Sequence, residues 1–221
     1  IKIEKIVSAI NENTRVVVLL NPNNPIGNVY TCEEFAVVQQ RAGEVGAIVI
    51  VDEAYHYFYS KTFLQQALKA PNVVVLRTFS KLMSLAACRL GVVIGNVQLV
   101  HYVRNLCLTF DANSIALLFA ERLIDRPEIV EQLITTQQTG KDWLLGELCA
   151  KGYWCRDCMG NFIFVKPNKS AHWVAEALAK EHDVLVHSYG NPMLKDLLRI
   201  STGSKASLQK FLDAFTKVDK E

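Results

Sequence analysis

A lysine, two hydroxyls and an arginine crowd one short stretch of this chain: Thr78, Ser80, Lys81 and, eight residues beyond the lysine, Arg89. The stretch follows Val73-Val74-Val75-Leu76, an apolar run with the length and β-branched character of a buried strand. A lysine at the exit of such a strand is half desolvated, which disfavours its ammonium form and frees the amine to attack a carbonyl and hold a Schiff base. Thr78 and Ser80 offer hydroxyls on the same turn, and Arg89 offers a planar fork of donors suited to a phosphate. An aldehyde that also carries a phosphate, which is pyridoxal phosphate, would use all of them. On Ser80-Lys81 alone the plainer reading stands first: a solvated loop lysine and a surface arginine. The rest of the chain has to decide.

Two other apolar runs end in the same manner. Residues 16–20 stop at Asn21-Pro22-Asn23-Asn24-Pro25-Ile26-Gly27, a stretch so rich in Pro, Asn and Gly that it reads as an ordered turn. Residues 47–51 deliver Asp52-Glu53-Ala54-Tyr55. None of these runs alternates, the pattern expected of parallel strands covered on both faces. Ligands of open α/β sheets lie at the carboxyl edge of the strands, so Asn24, Asp52, Tyr55, Ser80 and Lys81 should meet in one place. Asp52 by itself reads as a cap or surface carboxylate. Beside a pyridine it would keep the ring nitrogen protonated, so that the ring can accept electrons released at a substrate Cα. Tyr55 and Asn24 could donate to a phenolic oxygen on that ring, or be a core tyrosine and a turn asparagine.

The elements that position these residues follow from periodicity. Apolar residues at 3, 6, 7 and 10 predict a helix ending by Asn11-Glu12-Asn13. Thr31 and Glu34 form a capping-box pattern for a helix with Phe35, Val38 and Ala42 inside, closed by Gly43 and Gly46. A short strand, 90–94, follows Arg89. Helical spacing then runs through Leu99, Val103 and Leu106, through Ile115 and Leu118, and from Pro127 to Leu148, with Gly152 as the stop. Strands at 161–165 and 198–201, a helix over 173–179 and another carrying Leu208, Phe211, Leu212 and Phe215 read as a small α+β domain. The expected architecture is α/β, with residues 1–126 in a large sheet domain and 127–221 in a small C-terminal one.

Composition excludes several classes. Of the 221 residues half are hydrophobic, enough for a sizeable core, and the net charge of +2, from scattered rather than striped Lys and Arg, makes no electrostatic case for nucleic acid or a membrane. No apolar run is long enough to span a bilayer, and the first residues do not read as a signal peptide. Six cysteines in apolar surroundings suggest a reducing, cytoplasmic compartment. Cys155 and Cys158 stand at metal spacing, but no second Cys/His pair accompanies them, so no metal is expected. Ile1 is not an initiator methionine and the chain reads as a fragment of a longer one.

Asn24-Pro25-Ile26-Gly27, Asp52-Glu53-Ala54-Tyr55, Ser80-Lys81 with Arg89, and Leu198-Arg199-Ile200-Ser201 together resemble the successive motifs of class I/II pyridoxal-phosphate aminotransferases of fold type I, with the nearest look to histidinol-phosphate aminotransferases. The resemblance runs through essentially the whole chain in order. It implies the PLP-transferase fold type I, of which this chain would supply the C-terminal part of the large, mainly parallel sheet domain plus the small domain. It also implies pyridoxal 5'-phosphate as cofactor and roles for named residues. Lys81 would be the Schiff-base lysine and proton shuttle, and Asp52 the partner of the pyridine nitrogen. Asn24 and Tyr55 would bond the ring oxygen; Thr78, Ser80 and Arg89 would hold the phosphate. Arg199 would clamp the substrate α-carboxylate in a bidentate pair. The implied reaction is ping-pong transamination between an amino acid, or an amino-acid-like phosphate such as histidinol phosphate, and a 2-oxo acid. A homodimer is implied on the same ground.

Ile26 stands where the family usually has Thr, and Ala87-Cys88 precede Arg89 where Gly-Leu is common. The preceding segment of such enzymes, which supplies further strands, a phosphate-binding helix and a ring-stacking aromatic, has no counterpart in these residues. Two other functions fit the motifs: a decarboxylase or lyase on the same scaffold, resembling threonine-phosphate decarboxylase, and a non-catalytic aminotransferase-like sensor domain.

Overall fold

The computed structural model describes residues 2–109 and 111–220 and divides the chain into two compact units, Ile1–Val130 and Glu131–Glu221. In the first unit, strands β1 (Val16–Leu20), β2 (Ile48–Asp52) and β3 (Val73–Thr78) are parallel neighbours, and β4 (Gly91–Gly95) closes the order β1-β2-β3-β4 antiparallel to β3. Helix α1 (Ile3–Ala9) precedes β1, α2 (Cys32–Glu44) links β1 to β2, and α3 (Leu64–Lys69) links β2 to β3. Ile1 of the expected first helix lies outside the described residues.

Parallel strands in simple sequence order, joined by right-handed crossovers, receive both connecting helices on the same face. The core obeys this rule. Val17, Leu19, Val49, Val51, Val73 and Val75 pack with Phe35, Val38 and Ala42 of α2 and Ala67 of α3, while Ile3, Ile6 and Val7 of α1 close the margin. The other face of the sheet is not covered to the same degree: Val16 and Val18 are 47% and 54% exposed, and Ile48 and Ile50 are half-buried. The expectation of strands buried on both faces is therefore corrected for β1 and β2. Their continuous apolar runs supply two apolar faces, and the described residues cover only one of them fully.

The capping box forms as expected, with Thr31 Oγ1 accepting from Glu34 N at 3.2 Å and Glu34 Oε2 accepting from Thr31 N at 2.9 Å. Gly43 lies inside α2 rather than beyond it, and the chain leaves the helix at Gly46, whose φ of 74° suits a residue without a Cβ. Helices α4 (Val97–Arg104) and α5 (Ser114–Ile124) follow β4, and the division between units falls within the long helix α6 (Pro127–Ala150).

The second unit is an antiparallel sheet, order β5-β6-β8-β7, of β5 (Trp154–Asp157), β6 (Phe162–Lys166), β7 (His187–Ser188) and β8 (Leu198–Ser201). Its core joins Ile163, Val165, Leu198 and Ile200 to Leu144 and Leu148 of α6, Val174 and Leu178 of α7 (Ala171–His182), and Leu208, Phe211, Leu212 and Phe215 of α8 (Lys205–Lys220). Strands β5 and β7 are additions to the sequence expectation. No helix among the described residues is long and apolar enough to cross a membrane.

Candidate active site

The first unit brings three strand exits together. After β1, Asn21 is buried; its backbone N–H donates to the Asp52 carbonyl at 2.8 Å and its Oδ1 accepts from Tyr30 N at 2.8 Å, so the turn is tied to β2. Within the turn, Gly27 N donates to the Asn23 carbonyl at 2.8 Å and Ile26 N to Asn23 Oδ1 at 3.3 Å. This closed loop holds out Asn24, whose Nδ2 donates to Tyr55 Oη at 3.0 Å.

At the exit of β2, Asp52 Oδ1 accepts from Ala54 N at 2.9 Å, the local side-chain turn that Asp favours. Its Oδ2 accepts no hydrogen bond from the described residues, so one carboxylate oxygen remains available at the sheet edge. Tyr55 is buried at the start of a short 3-10 turn, His56–Phe58. At the exit of β3, Thr78 Oγ1 lies 2.9 Å from Ser80 Oγ and accepts from Ser80 N at 3.1 Å. Phe79, Leu82 and Met83 are buried and anchor the turn, while Lys81 between them projects outward with its Nζ 5.4 Å from the centroid of the Tyr55 ring. Asn24, Tyr55 and Lys81 thus form a continuous series of contacts.

Lys81 is exposed in this chain, which corrects the expected half-desolvated lysine. The buried side chains before and after it occupy the interior of the turn, leaving the lysine on the outer side. Arg89 is also exposed; its backbone is left-handed, φ 53°, and Nη1 donates to the Ala86 carbonyl at 3.0 Å, so the guanidinium curls over its own 3-10 turn. Arg199 belongs to the second unit. It stands near the start of β8, paired in register with Phe164 and His187, with its guanidinium carbon 5.3 Å from the Phe162 ring centroid.

Sequence reasoning passed over Glu53 and Arg77. Glu53 is fully buried, and its carboxylate accepts from Arg77 Nε at 3.1 Å and Nη2 at 2.9 Å, from Thr62 Oγ1 at 2.7 Å and from Phe63 N at 2.7 Å. The sequence showed only a charged residue at each of two strand exits; the parallel register, in which Asp52 pairs with Leu76, is what brings the opposite charges that follow them side by side. His56 donates from Nδ1 to the Glu53 carbonyl at 3.2 Å, because that oxygen can only accept. Burial first, and the Arg77 charge second, push the imidazole pKa down to about 4.

Cys155 and Cys158 lie on and just after β5. Burial is the first cause that raises their thiol pKa values, to about 12 and about 11, so both are held protonated. No group of three or more His, Cys, Asp or Glu among the described residues could hold a metal ion.

The family model for aminotransferase class I and II matches residues 1–215. The chain belongs to the class I and II aminotransferases. A histidinol-phosphate aminotransferase of Syntrophotalea carbinolica is 32% identical to it over 201 residues, a match covering 90% of this chain and 57% of that relative. This aminotransferase chain thus spans less than two thirds of the length of such relatives. Among solved structures, the histidinol-phosphate aminotransferase of Clostridium acetobutylicum superposes with a TM-score of 0.88 at 23% identity, covering 100% of this chain and 68% of that one. The enzyme of Sinorhizobium meliloti, solved in complex with pyridoxal-5'-phosphate, gives 0.87 at 22% identity, covering 99% and 61%. The fold of the aminotransferase chain is accordingly fold type I, mixed α/β with a mostly parallel sheet.

Proposed function

We propose that the protein containing this chain is a pyridoxal-phosphate-dependent aminotransferase acting on an amino acid, or an amino-acid-like phosphate such as histidinol phosphate, and a 2-oxo acid. The observation that carries the reading is the series Asn24, Tyr55, Lys81, with Asp52 at the exit of β2 keeping one carboxylate oxygen unengaged among the described residues. The donor set fits the cofactor: an anionic oxygen for a pyridinium N–H, two hydrogen-bonding groups for a ring oxygen, an amine for an aldehyde, and hydroxyls with an arginine for a phosphate. When bound, pyridoxal phosphate supplies the aldehyde that captures amino groups and the cationic ring that accepts electrons from Cα.

Asp52 would hold the ring nitrogen in its protonated form through Oδ2. Asn24, by donating to Tyr55 Oη, polarises that hydroxyl and strengthens it as a donor to the ring oxygen. Thr78, Ser80 and Arg89 would hold the phosphate. Lys81 would anchor the cofactor covalently and, once released, carry the proton that leaves the substrate Cα. Arg199, with its planar fork, would take the substrate carboxylate. Transfer rather than decarboxylation is favoured by relatives such as the 32% identical protein of Syntrophotalea carbinolica, which is named as an aminotransferase. A homodimer in a cytoplasmic compartment completes the proposal.

The test is to load the purified protein with pyridoxal phosphate, reduce with borohydride and map the modified peptide. The expected result is a single label on Lys81. A label elsewhere, or cofactor bound with no label at Lys81, overturns the assignment. Amino transfer from glutamate to a 2-oxo acid, without release of carbon dioxide, separates the transaminase from a decarboxylase.

A further inference from the structure

We infer that Glu53 and Arg77 are a positioning pair that sets the exit of β2 against the exit of β3, and through them Asp52 and Tyr55 against Thr78, Ser80 and Lys81. The inference rests on the cofactor reading above. Glu53 lies between Asp52 and Tyr55 in the chain, and Arg77 directly precedes Thr78. Each member of the pair therefore stands one or two residues from groups of the candidate site on its own strand.

Glu53 is held at every polar atom. Its backbone N–H donates to the Leu76 carbonyl at 2.9 Å, and its own carbonyl accepts from His56 N at 3.0 Å. The carboxylate, with no exposure to solvent, takes donors from Arg77, Thr62 and Phe63. Arg77 Nη2 also reaches Thr62 Oγ1 at 2.9 Å, closing a triangle among three segments. A carboxylate so enclosed cannot change rotamer without leaving buried donors unpaired, so the peptide on either side of it is fixed in direction. An aliphatic pair could fill the volume. It could not fix the angular relation of two strand exits, which here depends on directed bonds to one oxygen.

The test uses the full protein loaded with pyridoxal phosphate and compares wild type with Glu53→Gln, Thr62→Val and Val38→Ala. Val38 is a fully buried residue of α2 away from the strand exits and controls for lost stability alone. The readouts are the cofactor dissociation constant, the pH midpoint of the visible cofactor band, and the melting temperature. Glu53→Gln is expected to weaken cofactor binding tenfold or more and to move the pH midpoint by about one unit, because each unit corresponds to a tenfold change in the protonation equilibrium. Thr62→Val is expected to weaken cofactor binding about two- to threefold and to move the pH midpoint in the same direction by about 0.3–0.5 unit, and decides the matter if Glu53→Gln does not fold. Val38→Ala is expected to lower the melting temperature and leave both cofactor readouts in place. If the Glu53 and Thr62 variants behave like Val38→Ala, losing stability with cofactor binding and pH midpoint unchanged, the pair is merely structural and the inference is overturned. A wild-type protein that forms no visible cofactor band overturns the cofactor reading itself, and is thereby told apart from failure of the pair alone.

Discussion

Asn24 and Tyr55 stand at opposite ends of one hydrogen bond, and neither residue's surroundings were evident from its type, because a turn asparagine and a core tyrosine are common in any fold. Removing the shared oxygen with Tyr55→Phe deprives Asn24 Nδ2 of that acceptor. The expected cost is about 1 kcal/mol of stability, read from urea unfolding. The visible maximum of the cofactor-loaded protein should shift as well. His56 carries a pH prediction of definite sign. Its folded pKa, about 4, lies below the ordinary 6.5, so above pH 6.5 both states hold a neutral ring and the contribution to stability is complete. As pH falls toward 4 the unfolded chain takes up a proton that the folded one refuses, and stability is lost across that window. The full shift would correspond to about 3 kcal/mol, which partial solvent screening reduces to about 1–2 kcal/mol. Urea midpoints at pH 7.5 and pH 4.5 should therefore fall further in wild type than in His56→Gln. Equal falls would remove His56 as the cause.

At the scale of elements, residue pattern and structure agree most closely where a segment's fate is decided by its own neighbours. The Thr31 box opens α2 as its spacing predicts, and Thr31→Ala should cost about 1 kcal/mol in thermal or urea unfolding. Strands β1 and β8 occupy the expected residues. Strand β5 escaped notice because three of its four residues are exposed, so it carries no buried apolar run; β7 is two residues long and has no room for a pattern. Gly140 shows how close approach between elements constrains a helix. A Cβ there would clash with the Gly203 carbonyl oxygen, in the segment after β8. Gly140→Ala should displace α6 from that segment at a cost of about 1–3 kcal/mol, and a variant of unchanged melting temperature would contradict the contact.

For the whole molecule, the two units have separate hydrophobic cores, and the three tryptophans, Trp143, Trp154 and Trp173, all belong to the second. Tryptophan fluorescence during urea unfolding should accordingly report the second unit. Phe215→Ala, which empties a fully buried position against Tyr153 and Phe211, should lower that transition by about 3–5 kcal/mol. Asn24, Asp52, Tyr55, Ser80 and Lys81 were legible as candidates in the sequence because they follow apolar runs, and residue type together with local periodicity is a property of a few consecutive side chains; Arg199, inside β8, was named only through the family resemblance. The class of fold was legible for the same reason, strand and helix patterns alternating along the first unit. What only the tertiary structure decided depends on register and handedness between distant segments. Parallel pairing of β2 with β3 brought Glu53 to Arg77, and crossovers of one hand covered one face of the sheet and left Val16 and Val18 exposed on the other. The buried anchors on either side of Lys81 turned that lysine outward toward the Tyr55 ring, an arrangement that no run of neighbouring residues contains.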